Sequence, residues 1–133
     1  MGWKVMLVAV ALSSCALAVA VAPTAASTAG SCRGSISWSR ASRYIGRVET
    51  IKGPVAGAYY AFSSNGSPTF LDVGVAYPNP RRFTVLIWGR DRAKFRSPEH
   101  TYLGRTICVR GLVRLYRGGA EVFASSPSQI AIA

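Results

Sequence analysis

From residue 43 onward, apolar and polar residues alternate in short runs bounded by Gly, Pro and Asn. This period of two is typical of β-strands that have one face buried. The pattern predicts strands over residues 44–51, 69–75, 82–88, 106–116 and 120–124, and a short terminal strand over 129–133. Residues 53–68, which hold Gly53-Pro54 and Asn65-Gly66, are predicted to form a long loop or hairpin. Turns are predicted at 77–80 and 117–119.

Residues 91–102 break the β pattern and predict a short helix. Ser97 is a suitable N-cap, Pro98 suits the first helical position, and Gly104 suits the end. The order is therefore three strands, a short helix, and two or three strands. This order predicts an all-β fold, a small five-stranded Greek-key barrel with the helix between strands 3 and 4.

The first 26 residues have the character of a secretory signal peptide. Lys4 precedes an apolar run over residues 5–22, and small residues follow, with cleavage expected after Ala26. Ala22 and Ala29 are alternative cleavage sites. We rank a lipoprotein anchored through Cys15 as the second interpretation and an uncleaved membrane anchor as the third. In all three interpretations the leader directs export of the rest of the chain. We therefore expect a secreted, periplasmic or cell-envelope protein with no membrane span after processing.

The exported part divides into a flexible N-terminal arm, residues 27–42, and a barrel domain, residues 43–133. Loss of Cys15 with the leader leaves Cys32 and Cys108. In an oxidising compartment two remaining cysteines are expected to pair. Such a bridge would close a long loop and contribute about 4 kcal/mol in the chain-entropy account.

The amino-acid composition restricts the possible classes of function. Sixteen Lys and Arg face five Asp and Glu, for a net charge of +11, while 50% of residues are hydrophobic. That hydrophobic content is too high for a disordered chain. The five acids are scattered and His100 is the only histidine, so we expect no metal site, no cofactor and no catalytic group. The charge favours a polyanionic partner.

Six segments in order carry a resemblance to a known family: residues 44–48, 69–74, 83–88, 102–111, 115–118 and 126–130. Together they resemble the OB-fold domains of exported bacterial proteins, which occur alone or beside secreted nuclease modules. They resemble more distantly the anticodon-binding OB type. The resemblance covers about residues 43–132. It implies binding of single-stranded DNA or RNA by a monomer with little sequence preference, with a nuclease as a further partner.

In OB folds the ligand crosses the outer face of the second and third strands. Alternation places Leu71, Val73, Phe83, Val85 and Ile87 in the core, together with Ile107, Val109 and Val113. Phe70, Asp72, Thr84, Leu86 and Trp88 then face outward, and flanking loops supply Tyr59, Tyr60 and Arg117. The resemblance thus implies ten nucleic-acid-binding residues: Phe70, Arg82, Trp88, Arg90, Arg92, Lys94, Arg110, Arg114, Tyr116 and Arg117.

Other interpretations remain. The aromatic residues can be ordinary barrel residues, and the arginines a solvated surface that binds any polyanion, such as a cell-wall polymer. The domain would then be a non-catalytic cell-envelope interaction or ligand-binding module. A nuclease is a further alternative, although Asp72 and Asp91 have no second acid close in sequence for a metal.

Overall fold

The computed structural model describes residues 2, 9–22 and 31–133, and β-strands are the main regular structure of the last range. Its eight strands are β1 (Ile36–Ser37), β2 (Val48–Tyr60), β3 (Thr69–Val73), β4 (Phe83–Ile87), β5 (Thr106–Leu112), β6 (Arg114–Tyr116), β7 (Gly119–Phe123) and β8 (Ile130–Ile132). Two short α-helices, α1 (Gly89–Arg92) and α2 (Pro98–Thr101), connect β4 to β5. Two 3₁₀ helices cover Trp38–Tyr44 and Pro127–Gln129. The predicted β-rich character is confirmed.

The strands form one sheet in the order β6-β7-β4-β3-β2-β5-β8, and β1 pairs with β2 outside this path. β4 and β7 are parallel, as are β1 and β2, and the remaining pairs are antiparallel. β5 and β6 lie near opposite ends of the path, yet Val113 alone separates them in the chain. One bent segment therefore pairs with β2 through its first part and with β7 through its second.

Residues 53–68 were predicted to form a long loop or hairpin, and the hairpin alternative agrees with the antiparallel pairing of β2 and β3. The long strand β2, which extends to Tyr60, corrects the loop alternative. Its first part pairs with β5 as far as Pro54, and its second part pairs with β3 from Val55 onward. The register shifts between Val55 and Gly57, where the strand changes partner. Pro54 lacks an N–H but stands at the last pair of the β2–β5 ladder, and its carbonyl accepts a hydrogen bond from Gly74 N at 2.7 Å. A Gly-Pro pair that signals a turn is thus accommodated at a strand bend.

The core lies on the face that alternation predicted. Eight residues predicted to be internal are at most 1% exposed: Leu71, Val73, Phe83, Val85, Ile87, Ile107, Val109 and Val113. Phe95 and Tyr102, from the segment between β4 and β5, are also buried against this cluster. The connection between β4 and β5, where the helix was predicted, therefore covers part of the core.

That connection differs from the single helix predicted over residues 91–102, because α1 ends at Arg92 and α2 begins at Pro98. Pro98 occupies the start of α2 as expected. Ser97 precedes it with φ of 44° and makes no side-chain cap hydrogen bond. Its backbone carbonyl instead accepts hydrogen bonds from His100 N and Thr101 N.

Residues 31–42, predicted to belong to a flexible arm, carry β1 and the start of the 3₁₀ helix Trp38–Tyr44. Three contacts explain the difference. Cys32 and Cys108 form the predicted disulfide, with their Cα atoms 5.3 Å apart. Ala41 is buried in the core. The Trp38 ring covers Gly53 so closely that a Cβ there would lie 2.6 Å from Trp38 Cδ1. The disulfide indicates an oxidising environment.

Within the predicted leader, residues 9–22 have no regular secondary structure and are exposed, and Cys15 is a free thiol. The other leader residues except Gly2, with the predicted cleavage site after Ala26, lie outside the described residues. In the part of the chain that is described, no helix is long and apolar enough to cross a membrane.

Candidate nucleic-acid interface

Two rows of side chains cross the sheet on the face opposite the core. Successive residues of a strand point to opposite faces, so residues paired across strands share a face. The ladder registers place one row in the order Tyr59, Phe70, Leu86 and Phe123. They place the adjacent row in the order Gly57, Asp72, Thr84, Glu121 and Arg114. The first row is mainly aromatic and the second mainly polar.

A groove of about 580 Å³ lies over part of each row. It is lined by Tyr59, Phe70, Asp72, Tyr77, Pro80, Arg82, Thr84, Tyr116, Arg117, Gly119, Ala120 and Glu121. The groove therefore brings together four of the ten predicted residues, Phe70, Arg82, Tyr116 and Arg117. Phe70 and Asp72 lie on the outer face, as alternation predicted.

The aromatic rings of the groove are accessible. Tyr59, Tyr77 and Tyr116 are exposed and Phe70 is partly buried. The Tyr77 backbone is fixed because its N–H donates to Asp72 Oδ2 at 2.9 Å. Exposed rings beside a sheet face are suitable platforms for stacking on planar groups.

Arg82 is held at one side of the groove by neighbouring groups. Its Nε lies 3.4 Å from Asp72 Oδ1, and its Nη1 donates to the Asn79 carbonyl at 2.9 Å. Its guanidinium also lies 5.1 Å from the Tyr77 ring centre. Asp72 is only 8% exposed, so the arginine neutralises a carboxylate that would otherwise be buried with its charge uncompensated. About a quarter of the Arg82 side chain remains accessible.

Glu121 is the second acid of the groove, and its situation differs. The whole residue is 5% exposed, and no hydrogen-bond or ion-pair partner for its carboxylate is found among residues 31–133. Its oxygens are not fully enclosed, because no fully buried side-chain oxygen of the described residues lacks a partner. Burial raises the pKa of Glu121, and the charge of Arg114 opposes this rise. Arg114 is paired with Glu121 across β6 and β7, but its guanidinium lies over the Phe123 ring, 4.0 Å from the centre.

Trp88, predicted as a stacking platform, lies outside the groove lining. It is partly buried and packs edge-on against Phe123, with ring centres 5.7 Å apart. Gly66 covers it so closely that a Cβ there would lie 2.8 Å from the ring. Trp88 and Arg114 thus flank Phe123 at the end of the aromatic row.

Arg92 and Lys94, which were predicted as phosphate ligands, make contacts within the protein. Arg92 Nη2 donates to Glu99 Oε1 at 2.7 Å, and its Nη1 donates to Thr69 Oγ1 at 2.9 Å. Its guanidinium also lies 3.7 Å from the Tyr60 ring centre. Lys94 Nζ donates to Asp91 Oδ1 at 2.8 Å. Sequence alone did not show these partners.

Two further predicted cations lie away from the groove lining. Arg90 is exposed on α1, with its Nε 3.7 Å from Asp91 Oδ2. Arg110 is exposed on β5 opposite Thr50 of β2, and its Nη1 is 3.4 Å from Thr50 Oγ1. The structure therefore divides the predicted basic surface into separate parts.

Several groove residues were missing from the predicted set. Tyr59 was assigned to a loop because β2 was predicted to end early, and Tyr77 was read as part of a turn. Glu121 and Phe123 alternate with the buried Ala120 and Val122. The period-two rule that placed Phe70 would also have placed these two residues outside. Within the described residues, no group of three or more His, Cys, Asp and Glu could hold a metal ion.

A second cavity of about 450 Å³ adjoins the groove, and both are lined by Pro80, Arg82, Gly119 and Ala120. Its remaining lining residues are Trp38, Ser39, Ser42, Arg81, Phe83 and Gly118. The two cavities therefore form a longer depression beside the turn that joins β6 to β7. Arg82 lies where the cavities meet, and Arg81 lines the second cavity.

Comparisons with known proteins were made at the levels of sequence and structure. No protein-family profile and no curated protein matches the chain. Among solved structures, it is similar to a chain described as an aspartyl-tRNA synthetase from Leishmania major Friedlin, at 14% identity and a TM-score of 0.48 over 84% of this chain. The alignment spans 23% of the synthetase chain.

The chain is also similar to two OBody proteins that were each solved bound to hen egg-white lysozyme. OBody AM1L10 has 18% identity and a TM-score of 0.41, covering 68% of this chain and 81% of its own. OBody AM3L09 has 18% identity and a TM-score of 0.40, covering 68% of this chain and 84% of its own.

Proposed function

We propose that this protein is an exported OB-fold domain that binds single-stranded nucleic acid without catalysing a reaction. The observation that most directly supports this proposal is the groove, which places exposed aromatic rings beside arginines on one sheet face. A strand of DNA or RNA would lie across β3 and β4 and continue past the turn between β6 and β7. Most of its bases would be bound without regard to identity, because stacking depends on ring faces and not on base edges.

Sheet connectivity supports the OB assignment. We interpret β2, β3, β4, β5 with β6, and β7 as the five strands of a barrel that closes at Val113. The parallel β4–β7 pair and the helical connection between β4 and β5 agree with this interpretation. The face used for binding is then the outer face of the second and third barrel strands.

Aromatic stacking supplies the first contribution to affinity. Tyr59, Tyr77 and Tyr116 are exposed in the groove, and Arg117 lies 5.2 Å from the Tyr116 ring centre. Each stacked base is worth about 1–3 kcal/mol. An arginine beside such a ring can contact the adjoining phosphate while the ring contacts the base.

Electrostatics supplies the second contribution. Arg81 and Arg117 are exposed, and Arg82 is partly accessible despite its pairing with Asp72. These arginines lie along the groove and the adjoining cavity. Neutralising phosphates releases counterions, so binding should weaken steeply with salt.

The first test is fluorescence anisotropy of the purified protein with a labelled thymidine oligonucleotide of about nine nucleotides. Across a salt series, the log–log slope should approach about −0.7 per phosphate contact. Tyr116→Ala should weaken binding by about fivefold to 150-fold with little change of slope. Leu115→Ala is the matched control, because Leu115 is exposed on the same strand and lies outside the groove lining.

Arg117→Ala should weaken binding and make the slope shallower by about one contact. Arg90→Ala is its control, since Arg90 is exposed outside the groove. Equal binding of heparin and the oligonucleotide, unaffected by Tyr116→Ala, would favour the alternative of a cell-envelope module for anionic polymers. Negligible oligonucleotide binding at low salt would refute the proposal.

A further inference from the structure

We propose that the groove contains one base-reading subsite, in which the Glu121 carboxylate selects guanine. The inference rests on the proposed function and refines it at a single base position. At the other base positions along the groove, stacking and phosphate contacts would not distinguish one base from another.

The position of Glu121 carries the argument. It stands in the polar row between Thr84 of β4 and Arg114 of β6, and it lines the groove together with Phe70 and Tyr116. The residue is 95% buried by area, since its exposure is 5%. No donor among residues 31–133 satisfies its carboxylate. No fully buried side-chain oxygen of the described residues lacks a hydrogen-bond partner, so the carboxylate oxygens of Glu121 are open to the groove. A bound ligand can therefore supply donors to them in place of water.

The other acid of the groove does not have this capacity. Asp72 already accepts from Tyr77 N through Oδ2 and faces Arg82 through Oδ1. Arg114 has the position to pair with Glu121 but lies over Phe123. Glu121 is therefore the groove carboxylate whose two oxygens have no partner among residues 31–133.

The chemistry of the carboxylate then selects the base. An ionised carboxylate only accepts hydrogen bonds, and it can accept two in parallel. The Watson–Crick edge of guanine presents two adjacent donors, the N1–H and the N2 amino group. Adenine and cytosine each present one amino donor next to a ring-nitrogen acceptor, which would face the carboxylate unfavourably. Thymine presents a single N–H between two carbonyl acceptors.

The test uses the full protein and thymidine oligonucleotides of about nine nucleotides that differ at the central base. That base is guanine, inosine, adenine, cytosine or thymine. The wild-type protein should bind the guanine oligonucleotide at least about fivefold more tightly than the thymine one. Inosine lacks the N2 amino group and should fall between them. This comparison requires no variant, so it remains decisive even if a substitution disturbs folding.

Glu121→Gln should reduce the guanine preference to nearly none, because an amide offers one acceptor and one donor in place of two acceptors. It should also raise affinity for the adenine, cytosine and thymine oligonucleotides modestly, since a negative charge is removed near phosphates. Glu49→Gln is the matched control: it removes the same charge from an acid on β2 outside the groove lining. That variant should keep the full guanine preference.

The outcomes separate the two proposals. Equal wild-type binding of all five oligonucleotides would overturn the guanine subsite and leave the proposed function standing. A guanine preference that survives in a folded Glu121→Gln protein would overturn the role of Glu121. Failure to bind any of them would overturn both proposals.

Discussion

Two glutamates of this protein are largely buried, and their surroundings are opposite. Glu99 of α2 has a side chain that is 15% exposed and pairs with Arg92 through both carboxylate oxygens. Arg92 in turn contacts Thr69 and the Tyr60 ring. Glu121 of β7 is 5% exposed and lines the groove with no partner in the described part of the chain. One acid connects elements of the fold, whereas the other is directed towards a space that a ligand can fill.

The two surroundings move the acids' pKa values in opposite directions. Hydrogen bonds from Arg92 lower the pKa of Glu99 below its ordinary value of 4.5. Burial raises the pKa of Glu121 above the same ordinary value. The charged form of Glu99 is therefore favoured by folding, while the charged form of Glu121 is disfavoured by it. The comparison teaches that the burial of a carboxylate says little about its role until its partners are known.

Removing Arg92 should have the largest effect on stability. Arg92→Ala leaves Glu99 buried without its donors and also removes the contact with Tyr60. We expect the free energy of unfolding to fall by about 2 kcal/mol, measured by urea denaturation. Arg90→Ala is the control, because its side chain is 78% exposed and should matter by no more than about 0.5 kcal/mol. Equal losses in the two variants would show that the Arg92–Glu99 pair has no structural importance.

Replacing Glu121 should have a smaller effect of opposite sign. Glu121→Gln keeps the shape of the side chain and removes a charge that burial disfavours. We expect the free energy of unfolding at pH above the raised pKa to increase, by less than about 1 kcal/mol, while guanine selection is lost. Glu49→Gln, which alters an acid beside the exposed Arg47, should leave stability nearly unchanged. A clear loss of stability in Glu121→Gln would mean that the carboxylate has an internal role.

The core and one side of the groove could be predicted from sequence. In β3 and β4, alternate residues belong to the core face and the outer face, so the predicted inward residues and Phe70 are correctly placed. Asp72 and Leu86 are nevertheless buried on the outer face, which the period of two does not predict. The Cys32–Cys108 disulfide was also predicted correctly, because the expected loss of Cys15 with the leader leaves only these two cysteines. These predictions rest on local period or on counting, which do not require knowledge of distant contacts.

The remaining features of the fold and the groove depend on contacts between residues far apart in sequence, which a local pattern cannot predict. β2 continues through Gly53-Pro54 because the strand changes partner there, and this continuation places Tyr59 on the groove. Arg92 meets Glu99 through a connection between two short helices, where helical spacing does not apply. The isolation of Glu121 depends on Arg114 turning to Phe123. Sequence identified charged residues but could not show which charges were already paired.

The smallest expected effect is a difference in pH dependence between the two glutamates. For Glu99, whose folded-state pKa is lowered, the stabilising contribution is present above its ordinary pKa of 4.5 and is lost as pH falls through the folded-state value. For Glu121, whose folded-state pKa is raised, the folded protein retains the proton longer than the unfolded chain. Stability should therefore decrease as pH rises from its ordinary pKa of 4.5 through the folded-state value.

Urea unfolding of the wild type, Glu99→Gln and Glu121→Gln between about pH 3 and pH 8 measures the pH-dependent contribution of each glutamate to stability. The advantage of the wild type over Glu99→Gln should shrink as the solution becomes acidic. The lower stability of the wild type relative to Glu121→Gln should also shrink in acid, because the Glu121 carboxyl group is then neutral in both the folded and the unfolded state. The two curves of wild-type minus variant unfolding free energy against pH should therefore bend in opposite directions. Parallel curves would mean that the two carboxylates have equivalent surroundings, and the contrast between a paired acid and a ligand-directed acid would then be wrong.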